Sequence, residues 1–158
     1  MVVRTLSTAF LRSSRSRAAR LLRRRDCISS APVGFTFDDQ NANEDFIRLV
    51  MVENIHNGVH PAKSQAIQGL DISVITAIGK IYRRGLASGV FRPGVDEIDV
   101  HMTISALCFF NVANRSTFSQ IFKRDMHTPE ALARRRAIVI DTVARYVRAD
   151  RGPEDQAG

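Results

Sequence analysis

Apolar side chains recur at helical spacing along most of the chain that follows Val33. This spacing predicts four main helices, over about residues 43–57, 63–88, 96–114 and 128–148. Phe35 and Phe37 lie just before the first of them and could extend it upstream. Because no alternating β pattern is longer than a few residues, we predict an all-α helical bundle.

Residues with special backbone or capping properties mark where these helices begin and end. Asp96 and Thr128 are short polar residues typical of N-caps, and Pro129 suits a first helical turn. Gly89 is expected to end the second helix in a left-handed conformation. A shorter helical piece is predicted over residues 115–126, with three apolar side chains turned inward: Phe118, Ile121 and Phe122.

The helix predicted over residues 96–114 is apolar on most of its faces. Because such a helix must be covered on several sides, it needs either a central position or a partner subunit. Four residues form a polar line along it: His101, Ser105, Cys108 and Asn111. This line favours either polar contacts to a small molecule in an apolar cavity or hydrogen bonds between helices or subunits.

Charge divides the chain into a basic head and a neutral body. Residues 1–32 contain eight Arg and one acidic residue, whereas residues 33–158 contain 15 basic and 15 acidic residues. The neutral body is a poor candidate for a DNA-binding surface. Three interpretations of the head remain open: a disordered basic tail, a mitochondrial transit peptide, or a stretch that is not native coding sequence. We expect the helical domain to span residues 33–148 and a frayed tail to follow over 149–158.

The chain lacks recognisable catalytic and metal-binding motifs. There is no phosphate loop, nucleophile elbow or paired carboxylate, so we predict no enzyme activity and no cofactor. Glu53, His56 and His60 have nearly zinc-like spacing, but Gly58 interrupts their helix, so we predict a polar helix end and no metal. Residues 134–136 are three consecutive Arg, interpreted as a solvated face with one aliphatic stem packed inward.

Several segments in order resemble one family. Residues 33–58, the stretch RGLASGVFRPGVDEIDVHMTISAL, the stretch FFNVANRSTFSQIFKRDM and the final PEALARRRAIVIDTVARYV look like the C-terminal domain of tetracycline-repressor (TetR) family transcriptional regulators. The most specific part combines LASGVFRPGVD with the ANR and IF-x-RDM that follow. The resemblance implies a bacterial, cytoplasmic regulatory domain that does not bind membranes.

The resemblance also implies a homodimer, or a mixed dimer with related regulators, that pairs through its last two long helices. The implied dimer interface comprises Ile104, Leu107, Phe110, Val139, Ile140, Val143 and Tyr146. A cavity for a small-molecule effector is implied as well. By position, its wall would comprise Val50, Asn54, Ile78, Tyr82, His101, Ser105, Phe109 and Asn111.

The resemblance does not extend to the head. Family members begin with a three-helix DNA-binding unit, and residues 1–32 do not match one, so operator binding is expected only if such a head exists. Two alternatives therefore stay open. One is a small helical protein with a cleavable mitochondrial-type presequence, and the other is a non-specific nucleic-acid binder acting through residues 1–32.

Overall fold

The computed structural model of the protein describes residues 30–59 and 65–149, and for residues 65–73 it describes the backbone alone. These ranges form six helices: α1 (Ser30–Ala42), α2 (Glu44–Ile55), α3 (Gln65–Ala87), α4 (Glu97–Ala113), α5 (Arg115–Ile121) and α6 (Pro129–Val147). The all-α prediction is therefore confirmed. The expectations for residues 1–29, 60–64 and 150–158, including His60 and the predicted start of the second helix, lie outside the described residues.

Helix α4 lies at the centre of the bundle. It packs against the other five helices, while α1 also packs against α6. This explains why α4 is apolar on most of its faces: much of its surface is covered by its own chain. The buried core that results comprises Val33, Phe37, Tyr82, Phe91, Val95, Val100, Ile104, Cys108, Val139, Val143 and Val147.

The predicted helix caps of α4 and α6 are confirmed. The Asp96 carboxylate accepts hydrogen bonds from the backbone N–H groups of Ile98 and Asp99, at 2.7 and 3.3 Å. The Thr128 hydroxyl accepts one from the Ala131 N–H at 3.2 Å. Both contacts satisfy donors that the first turn of a helix would otherwise leave unpaired.

The end of α3 is joined to the end of α6. Gly89, with φ of +70°, ends α3 as predicted, and the following residues turn back along the helix. Phe91 and Arg148 then form an isolated antiparallel bridge, in which the Arg92 N–H donates to the Val147 carbonyl at 3.0 Å. Ala149, expected to begin a frayed tail, instead donates its N–H to the Val90 carbonyl at 3.0 Å.

Helix α1 was not predicted as a separate helix. It begins at Ser30, before the predicted domain boundary, and buries Val33 and Phe37 one turn apart. Pro32 stands in its first turn, where a missing N–H does little harm. A Cβ at Gly34 would collide with the Arg136 guanidinium, so glycine here leaves room for that side chain to cross α1.

Helix α5 is shorter than predicted, and two of its apolar residues face outward. The helix ends at Ile121, and Lys123 adopts a φ of +50° that turns the chain away. Because the turn interrupts the helical face, Ile121 and Phe122 remain exposed, so the prediction that both point inward was wrong. Phe118 is half-buried and contacts the Phe110 ring edge-on, with ring centres 5.4 Å apart.

Candidate functional site

An apolar cavity lies where α1, α3, α4 and α6 meet. Its volume is about 40 Å³, and its wall comprises Pro32, Val33, Ile78, Ile81, Tyr82, Phe91, Val100, Ile104, Val143 and Val147. The Tyr82 hydroxyl donates to the Arg92 carbonyl at 2.7 Å and accepts from the Val95 N–H at 3.1 Å, so the chain itself satisfies it. Sites for drug-sized ligands start near roughly 300 Å³, so this cavity must expand to hold one.

The predicted pocket residues do not converge on this cavity. Ile78 and Tyr82 line it. The other six are distributed along α2 and α4: Asn54 is exposed, and five are half-buried, namely Val50, His101, Ser105, Phe109 and Asn111. Two of the eight predicted residues therefore line this cavity.

A buried polar cluster joins the end of α1 and the start of α2 to the region between α4 and α5. Arg115 is only 5% exposed. Its Nη1 donates to Glu44 Oε1 at 3.1 Å and its Nη2 donates to Asn41 Oδ1, which also accepts from Asn111 Nδ2 at 3.3 Å. This contact supports the hydrogen-bonding interpretation of the polar line on α4, at least for Asn111.

One atom of this cluster, Arg115 Nε, is buried without a hydrogen-bond partner among the described residues. The same is true of Oε1 of Gln40, the residue before Asn41 on α1. Buried polar atoms are nearly always paired in folded proteins, so the unpaired Nε of Arg115 needs an explanation. Arg115 was not among the predicted site residues. It lies in the ANR segment that carries the family resemblance, but a charged residue in such a segment is normally exposed.

The Arg run lies on α6, and the buried cysteine lies on α4. Arg136 binds Asp38 through two hydrogen bonds, at 2.8 and 2.9 Å, and these bonds raise the pKa of the guanidinium. Arg134 is exposed, whereas Arg135 and Arg136 are half-buried. More than one residue of the run therefore packs against the bundle. Burial raises the pKa of the Cys108 thiol to about 12, although the positive charge of Arg135 opposes this shift. Cys108 is therefore an unreactive core residue.

The predicted interface residues divide into a buried and a more exposed group. Ile104, Val139 and Val143 are buried within the chain's own core. Leu107, Ile140 and Tyr146 are half-buried, and Phe110 is exposed. The outward side of α4 instead carries three exposed apolar side chains: Ile98, Met102 and Phe110.

The described residues show neither a metal site nor a membrane span. Within them, no group of three or more His, Cys, Asp or Glu side chains is placed to hold a metal ion. No helix in the same ranges combines the length and apolar character needed to cross a membrane.

Comparison with known proteins places this architecture among regulators. A family model described as "Tetracyclin repressor-like, C-terminal domain" matches residues 30–143. The chain is also similar to the HTH-type transcriptional repressor NicS of Pseudomonas putida, with 28% identity over 116 residues. That match covers 73% of this chain and 55% of the repressor, so the chain spans about half of its relative's length.

Proposed function

Since the chain belongs to the family of tetracycline repressor-like C-terminal domains, we propose that it is the regulatory domain of a transcriptional repressor. In this role it pairs with a second copy and binds a small-molecule effector in its helical core. The similarity to an HTH-type transcriptional repressor supports control of transcription as the purpose of both activities.

The outward face of α4 is the observation that carries the dimer. Ile98, Met102 and Phe110 are separated by multiples of four residues, so they lie along one side of the helix. Ala106 continues the same exposed side. A symmetric contact would bring this face against its own copy and remove it from water. Ile138 on α6 is exposed as well, which fits an interface built from α4 and α6.

The substitution Met102→Glu in the full chain tests the dimer. Met102 is 62% exposed, so the monomer should tolerate the change. In a symmetric dimer, however, it buries two unpaired carboxylates, each costing about 3–5 kcal/mol. We expect the wild-type chain to be a dimer at micromolar concentration by light scattering, and the variant to dissociate at least about a hundredfold more readily.

The matched control is Ile55→Glu, which places the same charge on α2 at a side chain that is 75% exposed. This variant should remain as dimeric as the wild type. A wild-type chain that is monomeric throughout, or a Met102→Glu variant that dimerises normally, would overturn the proposed dimer.

Effector binding is proposed for the core because two features there are suited to it. The first is the apolar cavity beneath α1, whose wall includes Ile78 and Tyr82 from the predicted pocket. The second is the buried polar cluster around Arg115, about 12 Å further along α1 at 1.5 Å per residue from Val33 to Asn41. The polar cluster allows the chemistry of the effector to be specified.

A further inference from the structure

Arg115 is the most deeply buried charged residue among those described, and its pairing is incomplete. Arginine is almost never buried without a charged partner. Here that partner, Glu44, contributes one hydrogen bond at 3.1 Å, and its side chain is 40% exposed. The counter-charge of a buried guanidinium is therefore accessible from solvent and can be exchanged.

The geometry of the guanidinium shows what could take part in that exchange. Nε and one terminal nitrogen of an arginine form a planar edge with two parallel donors, which matches the two oxygens of a carboxylate. In Arg115 both terminal nitrogens have partners, but Nε has none. The Nε donor of that edge is therefore available to a better acceptor, whichever terminal nitrogen supplies the other donor.

The hydrogen-bond partners of the guanidinium allow it to take another acceptor. Asn41 Oδ1 is shared between Arg115 and Asn111, so the amide still has Asn111 as a partner if Arg115 turns to another acceptor. Ile47, buried one turn after Glu44, contributes an apolar surface to the start of α2.

We propose that this cluster is the charge-recognising part of the effector site and that it takes a small monocarboxylate. The inference rests on the proposed function, since it assigns the effector its chemical class. The carboxylate occupies the Nε edge of Arg115 and displaces Glu44 toward solvent. Because Glu44 begins α2 and Arg115 begins α5, the exchange releases the contact between these two helices.

Titration of the full chain with hexanoate tests this proposal. Hexanamide has the same chain length without the charge, so it is the matched ligand control, and sodium chloride keeps the ionic strength constant. We expect hexanoate to bind measurably in calorimetry and to raise the midpoint of thermal unfolding, whereas hexanamide does neither.

Two variants should change the affinity in opposite directions. Glu44→Gln removes the competing carboxylate and should tighten hexanoate binding about fivefold, equivalent to about 1 kcal/mol. Arg115→Lys keeps the charge but loses the two-donor edge, and should remove the preference for hexanoate over hexanamide. Asp45→Asn removes the charge of the acidic residue next to Glu44 on α2, whose side chain is 90% exposed, and should leave the affinity unchanged.

Equal responses to hexanoate and hexanamide in both the wild type and Glu44→Gln would overturn the proposal. Because Glu44→Gln tests the site without touching Arg115, the proposal remains testable even if Arg115→Lys does not fold. Light scattering on the same samples distinguishes a failure of the proposed ligand class from a failure of the proposed dimer. An intact dimer without carboxylate preference refutes this ligand class alone, whereas a monomer refutes the dimer in the proposed function.

Discussion

Replacing Gly85 by alanine tests whether Phe91 is fixed against α3. Gly85 is buried near the end of α3, and a Cβ there would overlap the Phe91 ring. The ring stacks on Tyr82 with centres 6.2 Å apart, and its backbone is held by the Phe91 N–H bond to the Gly85 carbonyl at 3.1 Å. Because both the ring and its backbone are held, neither can move away freely.

Helix propensity and packing make opposite predictions for this substitution. Alanine is favoured over glycine in a helix interior by about 1 kcal/mol, which would increase the free energy of unfolding. Forcing an extra carbon into a packed site costs about 1–3 kcal/mol, and the contact here involves a ring. Because the packing cost exceeds the gain in propensity, we expect Gly85→Ala to lower the free energy of unfolding by up to about 2 kcal/mol.

Urea unfolding at one fixed protein concentration is the appropriate assay, since dimer formation would make stability depend on concentration. Gly79→Ala is the control on the same helix. Its Cβ would lie 2.8 Å from Glu97 Oε1 and 3.2 Å from Arg83 Nη1, which are the ends of two flexible side chains. We expect this control to be neutral or stabilising by up to about 1 kcal/mol. If Gly85→Ala stabilises the chain as much as the control, the reasoning about Phe91 is refuted.

Two further predictions concern the cap of α4 and the buried thiol. Asp96→Ala should lower the free energy of unfolding by about 1 kcal/mol in urea, whereas Asp96→Asn, which retains a capping oxygen, should cost much less. In a Cys27→Ser background, Cys108 should resist a thiol reagent at pH 8 until urea unfolds the chain, and fast labelling of the native protein would contradict its burial. Since folding raises the pKa of this thiol from 9.0 to about 12, its contribution to stability is complete below pH 9 and decreases as pH rises through that window.

The helices with local signals were predictable, and those that depend on distant contacts were not. Asp96 and Thr128 predict where α4 and α6 begin, because an N-cap residue hydrogen-bonds to the first turn of its own helix. Helix α1 contains Pro32 and Gly34, which locally argue against a helix. Gly34 is explained only by Arg136, a residue about a hundred positions later that passes over it. No periodicity within α1 reports that contact.

The candidate site shows a similar limit. The position of Asn111 on the polar side of α4 could be inferred from spacing, but its partner Asn41 lies 70 residues away in the chain. Arg115 and Glu44 are 71 residues apart, and neither belongs to a motif that predicts a buried ion pair. A pattern along one helix identifies a face, whereas a site requires faces from several helices. For this reason the contacts of the polar cluster could be identified only from the packing of the helices.

Hydrophobicity also cannot distinguish a core from an interface between subunits, because both bury apolar side chains. Val139 and Val143 were assigned to the dimer interface because the family resemblance implies pairing through the last two long helices, yet they fill the core of a single chain. A single chain needs a filled core to fold, so its most regular apolar positions are buried within the chain. The interface should then use the apolar residues that the fold leaves outside. Met102 is such a residue, which is why its substitution, rather than that of Val139, separates dimer formation from folding.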